Sequence, residues 1–225
     1  GGPGRMDGSA YRGRSKLEVL LGREALEAVR GRTVLDFGCG AGGEAIELAR
    51  RGAARVIGLD IQENLLEQAR ARAEAEGVAD RCTFVTETDE RVDVVVCIDA
   101  FEHFADPAGV LVRMRELLAD DGAVLASFGP TWYHPLGGHL FSVFPWAHLV
   151  FTERALLRWR AGFKSDGARR FGEVAGGLNC MTIARFERIV HESPFRCTAL
   201  EAVPIRRLAR VSNRLTREFT TAIVR

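Results

Sequence analysis

Residues 33–60 read TVLDFGCGAGGEAIELARRGAARVIGLD, and this stretch decides the fold. A short apolar run over residues 33–37 is followed by a turn rich in glycine and by a helical pattern over residues 44–51, which Gly52 ends. A second apolar run covers residues 55–59. Strand, glycine-rich turn, helix and strand in this order predict a parallel β-sheet covered by helices.

The same alternation continues on both sides of this stretch. Downstream it predicts a helix over residues 64–76, strands over 82–85 and 92–98, a helix that Asp106 caps and Pro107 begins, and a strand over 123–128. The run over 92–98 is apolar at nearly every position, as in a strand covered on both faces, so we expect it beside the first strand. Upstream, residues 15–30 predict one amphipathic helix that ends at Gly31.

The alternation of predicted strands and helices stops at residue 129. Residues 129–179 contain nine aromatic side chains and three histidines, and we interpret them as an inserted substrate cap. A helix capped by Thr182 and two extended segments, residues 195–205 and 218–224, follow and predict an antiparallel pair at a sheet edge. The predicted fold is therefore α/β: a doubly wound, seven-stranded, mostly parallel sheet with an antiparallel edge hairpin and a cap after the fifth strand.

The predicted organisation has four parts. Residues 1–14 form a flexible start, in which residues 1–5 before Met6 resemble an expression remnant. Residues 15–128 form a cofactor-binding core with an N-terminal helix, and residues 129–179 form the cap. Residues 180–225 complete the core with the last helix and the edge strands.

Composition argues against several classes of protein. Lys and Arg total 31 against 30 Asp and Glu, so no overall positive field draws the chain to nucleic acid or to an anionic membrane. No apolar run reaches the roughly 20 residues that a membrane-spanning helix needs. The five cysteines are scattered and form no CxxC pair, which fits a reducing cytoplasm better than a disulfide framework or a zinc site. A small-molecule partner is expected, and the oligomeric state stays open.

The glycine-rich turn predicts a nucleoside-containing ligand. Gly38, Gly40 and Gly43 satisfy GxGxxG between a strand and a helix, whose free N–H groups suit a carboxylate or a phosphate. Asp60 ends the second strand about twenty residues later, where a carboxylate accepts hydrogen bonds from ribose hydroxyls. These features alone leave an NAD(P)-dependent oxidoreductase open. Asp36 favours S-adenosylmethionine instead, because its charge would repel a pyrophosphate but can hold an ammonium group.

Three motifs read VLDFGCGAG over residues 34–42, VIGLD over 56–60 and DAFEHFADP over 99–107. They resemble motifs of the class I S-adenosylmethionine-dependent methyltransferases, the last of them in the small-molecule members. The resemblance implies transfer of the methyl group of S-adenosylmethionine to an O, N or C atom of a small metabolite. Where the family often has a Gly-Asp-Ala-like stretch facing adenine, this chain has Glu87 and Thr88. We expect one of these two residues to substitute, and a solvated acidic loop is the alternative. The cofactor-binding residues implied by the resemblance are Asp36, Gly38, Gly40, Gly42, Asp60, Ile61, Glu87, Thr88 and Ile98.

The cap is predicted to supply the acceptor pocket and the proton acceptor. Methyl transfer is an in-line displacement, so the protein aligns nucleophile and methyl in a dry, aromatic pocket and removes a proton. Histidine is the usual proton acceptor near neutral pH, and we predict His139 and His134 as catalytic residues, with simple packing as their alternative role. Their spacing with His148 matches no metal signature, so no metal site is predicted. A non-catalytic nucleoside-binding regulatory module of the same fold remains a further alternative.

Overall fold

The computed structural model describes residues 15–141, 143–164, 167–174 and 177–225. The predicted flexible start over residues 1–14 lies outside these described residues. The chain divides into two compact units. The sheet unit holds described residues 15–98 and 112–126, and the aromatic unit holds residues 99–111 and the described residues from 127 onward.

The sheet unit centres on five strands in the order β3-β2-β1-β4-β5. β1 pairs in parallel with β2 on one side and with β4 on the other, and β2 pairs in parallel with β3. The strand predicted to lie beside the first one therefore does so, and residues 94–98 of it are buried as expected for a central strand. The strands are β1 Thr33–Phe37, β2 Arg55–Leu59, β3 Cys82–Val85, β4 Val92–Ile98 and β5 Leu118–Ser127.

Within described residues 15–117 there are five helices: α1 Lys16–Leu21, α2 Arg23–Glu27, α3 Gly43–Arg50, α4 Glu63–Ala75 and α5 Pro107–Leu117. α5 starts as the sequence predicts, because Asp106 Oδ1 accepts the N–H of Gly109 at 3.0 Å. The prediction of a single helix over residues 15–30 is wrong. Gly22 has φ 85°, outside the helical region, and its N–H closes α1 on the carbonyl of Glu18.

The aromatic unit packs around its own apolar cluster, with Trp132 at the edge. The helices and strands of this unit after residue 141 are α6 Ala147–Val150, α7 Glu153–Arg160, α8 Ile183–Glu192, β6 Ala202–Pro204, α9 Arg217–Thr220 and β7 Thr221–Val224. The predicted helix after the cap is α8, and the hydroxyl of Thr182 accepts the N–H of Arg185 at 3.1 Å as its N-terminal cap. The buried members of the cluster are Phe141, Leu156, Leu157, Phe171, Val174 and Leu178.

The prediction of one seven-stranded sheet is wrong. β6 and β7 do pair in antiparallel fashion, but they form a separate two-stranded sheet. Phe128, the residue after β5, forms a single isolated bridge with Val224, through two N–H···O bonds of 3.0 Å. The next hydrogen-bonded position falls on Pro130, which has no N–H to donate, so the ladder stops there.

Among the described residues, no helix combines the length and the apolar character that crossing a bilayer requires.

Close packing at β2 gives a test of the sheet. A Cβ placed on Gly58 would lie 2.7 Å from Phe84 Cε1 and 2.9 Å from Cys39 Sγ, closer than real side chains approach. We expect Gly58→Ala to lower the free energy of unfolding by about 1 to 3 kcal/mol, measured by urea denaturation, because the neighbours must shift in a close-packed core. Gly43→Ala is the control, since its Cβ would meet only Arg72 Nη1 at 3.7 Å. Equal stability of the two variants would contradict this packing.

Candidate active site

The carboxyl ends of the parallel strands carry the predicted cofactor residues. β2 and β3 lie on one side of β1, whereas β4 and β5 lie on the other, so the strand order reverses between β1 and β4. Sheets of this kind bind ligands outside the carboxyl ends of the strands at such a point. The glycine turn follows β1, Asp60 follows β2, Glu87 follows β3 and Ile98 ends β4.

The glycine turn has a backbone that side chains other than glycine rarely adopt. Gly38, Gly40 and Gly42 have φ of 83°, 51° and 76°. The N–H of Gly38 donates to the carbonyl of Leu59 at 2.8 Å, which ties the turn to the end of β2. Gly42 precedes α3, and a Cβ there would lie 2.7 Å from Ala69 Cβ, so glycine at this position allows close packing. A Cβ on Gly40 would have no atom within 4 Å, so the backbone of the turn can be approached closely there.

Asp60 joins the glycine turn to the start of α4. Its Oδ2 accepts the N–H of Gly40 at 2.9 Å, and its Oδ1 accepts the N–H of Gln62 at 2.9 Å. Each carboxylate oxygen has a second lone pair, so both can also accept a hydrogen bond from a ribose hydroxyl. The structure thus brings Asp60 and the turn together, and gives Asp60 a local structural role as well.

Asp36 is a buried carboxyl group at the penultimate position of β1. It is 2% exposed, and its Oδ2 has no hydrogen-bond partner in the described part of the chain. Burial raises its pKa well above the usual value; Glu44 and Asp60 raise it further, whereas Lys16 and the backbone of Ala45 lower it. A ligand ammonium group would relieve this desolvated site.

The contacts of α1 beside this site were not predicted from the sequence. Lys16 Nζ lies 2.7 Å from Glu44 Oε1 on the first turn of α3, and the Ser15 hydroxyl donates to the Glu47 carboxylate. α1 therefore packs against the helix that follows the glycine turn. No local spacing signal could have found these pairs, because they depend on the tertiary fold.

The residues predicted to face adenine differ in the exposure of their side chains and in the hydrogen bonds that they already form. Ile61 is 90% exposed and presents an apolar side chain next to Asp60. Glu87 is exposed, whereas the hydroxyl of Thr88 already accepts the N–H of Glu90 at 3.1 Å. Ile98 is only 7% exposed, so it offers a ligand little surface.

In the aromatic unit, His139 has the free nitrogen that a proton acceptor needs. Its Nε2 is buried and has no hydrogen-bond partner among the described residues. Burial lowers the pKa of His139 to about 4, with a smaller lowering by His103, so the ring is neutral near pH 7. Its backbone has φ 50°, a conformation that costs energy in residues other than glycine and that often marks functional sites.

His134 and His148 are differently engaged. Burial, and then His148, lower the pKa of His134 to about 4. Its Nδ1 accepts the N–H of Leu136 at 2.9 Å, so this nitrogen is already occupied. His148 Nε2 donates to the carbonyl of Trp132 at 2.6 Å, and the two rings pack edge to face. Of the two predicted catalytic histidines, His139 is therefore the better placed to accept a proton.

No three His, Cys, Asp or Glu side chains of the described residues form a group that could hold a metal ion. All five cysteines are free thiols.

Comparisons with known proteins match the part of the chain that contains the glycine turn. Residues 34–122 match a family model described as a methyltransferase domain. A ubiquinone biosynthesis O-methyltransferase of Neisseria meningitidis is 42% identical over 106 residues, which cover 44% of this chain and 44% of that protein. The chain thus spans less than half the length of the curated relatives it matches.

Solved structures are similar to parts of this chain. An S-adenosylmethionine-dependent methyltransferase from Thiobacillus denitrificans, in complex with S-adenosyl-L-homocysteine, is 25% identical with a TM-score of 0.42, covering 55% of this chain and 54% of that one. The [4+2]-cyclase SpnF is 15% identical with a TM-score of 0.54, covering 80% of this chain and 57% of that one, and so shows the fold alone. With its Rossmann-like α/β sheet, its glycine turn and its matched residues 34–122, the chain contains a methyltransferase domain of the class I S-adenosylmethionine-dependent type, whose cofactor is S-adenosylmethionine.

Proposed function

We propose that this chain transfers a methyl group from S-adenosylmethionine to a hydroxyl oxygen of a small molecule. The observation that carries the proposal is the buried Asp36 carboxyl beside a glycine turn that Asp60 fastens at 2.9 Å. The O-methyltransferase name of the Neisseria relative supports oxygen among the possible acceptor atoms. Five free thiols and near-balanced charges support a small-molecule acceptor and a reducing compartment, the cytoplasm.

Each group of the cofactor has a candidate partner in the sheet unit. The carboxyl of Asp36 would hold the ammonium, and the turn around Gly38 and Gly40 would hold the methionine carboxylate through backbone N–H groups other than those two, which donate to Leu59 and Asp60. Asp60 would accept hydrogen bonds from the ribose hydroxyls, and Ile61 would cover one face of adenine. The bound cofactor supplies an electrophilic methyl group on a sulfonium.

His139 is proposed to accept the proton that the acceptor hydroxyl loses. As the new C–O bond forms, the hydroxyl becomes strongly acidic, so even an imidazole of lowered pKa can take its proton. Burial keeps His139 neutral and thus ready to accept near pH 7. The aromatic side chains of its unit are proposed to form the acceptor pocket and to exclude water. They include Trp132, Tyr133 and Trp146.

Asp60→Ala tests the cofactor site. We expect the Kd for S-adenosylhomocysteine, measured by calorimetry, to rise by roughly tenfold to a hundredfold, because two charge-assisted hydrogen bonds to ribose are lost. Since Asp60 also holds Gly40 and Gln62, the far-UV circular dichroism of the variant is recorded alongside.

Asp80→Ala is the matched control, because Asp80 is an exposed carboxylate in the turn before β3. It precedes the amino end of this strand, whereas the predicted cofactor residues lie at the carboxyl ends of the strands. It should bind like the wild type. A folded Asp60→Ala protein with unchanged affinity would remove Asp60 from the cofactor site.

His139→Ala tests the acceptor side. We expect this variant to retain its affinity for S-adenosylhomocysteine but to lose roughly a hundredfold or more in turnover, a typical contribution of a general base. Turnover is measured as S-adenosylhomocysteine formed with a panel of phenols and alcohols, compared with amines.

His191→Ala is its control, since His191 is an exposed histidine on α8. Full turnover in His139→Ala would assign His139 to packing. Cofactor binding without methylation of any acceptor would instead favour the non-catalytic module, and a changed, unmethylated product would indicate a different reaction on this fold.

A further inference from the structure

His103 and His139 form a pair of imidazole rings inside the aromatic unit. Their ring centroids are 5.2 Å apart, and the ring planes meet at 87°, an edge-to-face arrangement. His103 comes from the turn after β4, whereas His139 begins a short 3-10 turn far along the chain. Tertiary structure, not local sequence, brings the two rings together.

A hydrogen bond defines which nitrogen of the His103 ring is the donor. His103 Nδ1 lies 2.9 Å from the carbonyl oxygen of Gly177, and because a carbonyl only accepts, Nδ1 is the donor. The Nε2 atom of His139 has no hydrogen-bond partner in the described residues, and the backbone of Pro130 acts to raise the pKa of its ring. His103 is therefore held through Nδ1, and Nε2 of His139 is left to accept a proton.

The turn that carries His103 is firmly fastened. Asn179 Nδ2 donates to the carbonyls of Phe101 and Phe104, at 2.7 and 2.8 Å, and the N–H of Asn179 donates to the carbonyl of Glu102 at 2.9 Å. Together with the bond from His103 to Gly177, these contacts hold residues 101–104 against residues 177–179. The orientation of the His103 ring is therefore fixed from both sides.

The titratable groups that face His139 are themselves histidines. They are His103, His148 and His134, and the repulsion of each disfavours a proton on His139. His103 has the largest effect of the three. Two imidazoles this close do not both hold a second proton without a Coulombic cost, which is high in a buried setting.

We propose that His103 is a positioning residue that fixes the edge of the His139 ring and keeps a second proton out of the pair, so that His139 Nε2 remains available as proton acceptor. This inference rests on the role of His139 in the proposed function. It gives the histidine of the DAFEHFADP motif a role beyond local packing.

His103→Asn separates the effect of the His103 ring on His139 from the hydrogen bond that His103 donates to Gly177. The amide nitrogen of Asn can take the place of Nδ1 and donate to Gly177, so the fastening is kept while the rest of the ring is removed. His191→Asn is the matched control on the exposed face of α8. Both are compared with the wild type, as the full 225-residue chain, by nitrogen-15 NMR of the imidazole rings.

We expect wild-type His139 to remain neutral down to about pH 5, and its pKa to rise by about half a unit or more in His103→Asn. The acid side of the pH profile of turnover should move to higher pH by the same amount. His191→Asn should change neither. A folded His103→Asn protein with unchanged His139 titration and turnover would show that His103 only fastens the turn, and would overturn the proposal.

A measurement on the wild type covers the case in which His103→Asn does not fold. The nitrogen-15 shifts of His139 should show Nε2 as the nitrogen without a proton, and a nuclear Overhauser contact should join the two rings. Nε2 carrying the proton in the neutral protein would overturn the proposal. If His139→Ala keeps full turnover while His103→Asn still shifts the His139 pKa, the proposed base fails and the catalytic meaning of the pair fails with it, although the pair itself stands.

Discussion

The proposed ligand site of the sheet unit depends on one carboxyl group that is buried near the end of a central strand. Asp36 lies between Gly58 of β2 and Val96 of β4, and is almost completely removed from water. Burying an ionised carboxylate without a cation or full hydrogen bonding is costly, so the group holds its proton more strongly than usual. A polar group kept at such a cost in a parallel sheet indicates a ligand that neutralises it.

The glycine turn shows how one set of contacts serves both stability and binding. Asp60 accepts the N–H of Gly40, which holds the turn in shape, and each carboxylate oxygen keeps a lone pair that can accept a hydrogen bond from a ligand. Burial of Asp36 raises its pKa, so this group stabilises the ligand-free protein when protonated, and that contribution is lost as the pH rises through its pKa. An ammonium group would reverse the balance, because it favours the ionised carboxylate. The ligand-free protein therefore favours a neutral Asp36, and a bound ammonium group would favour its ionised form.

Much of the sheet unit could be predicted from the sequence. The bounds of β1 to β4 match the predicted strands, because a short apolar run bounded by glycine or polar turns is typical of a buried strand. The break at Gly22 and the stop at Pro130 were missed, since each depends on one residue that overrides a longer pattern. The pairing of Lys16 with Glu44 could not be predicted, because it joins segments that meet only in the folded chain.

The most direct test of the central claim is calorimetric titration of the protein with S-adenosylhomocysteine, and separately with NAD, from about pH 5 to about pH 8. The account predicts that S-adenosylhomocysteine binds and NAD does not. It also predicts tighter binding of S-adenosylhomocysteine as the pH rises above the ordinary carboxyl value of 3.8, with release of a proton, because the ligand ammonium favours ionised Asp36. Binding of NAD without binding of S-adenosylhomocysteine, or an affinity for S-adenosylhomocysteine that does not change with pH, would contradict it.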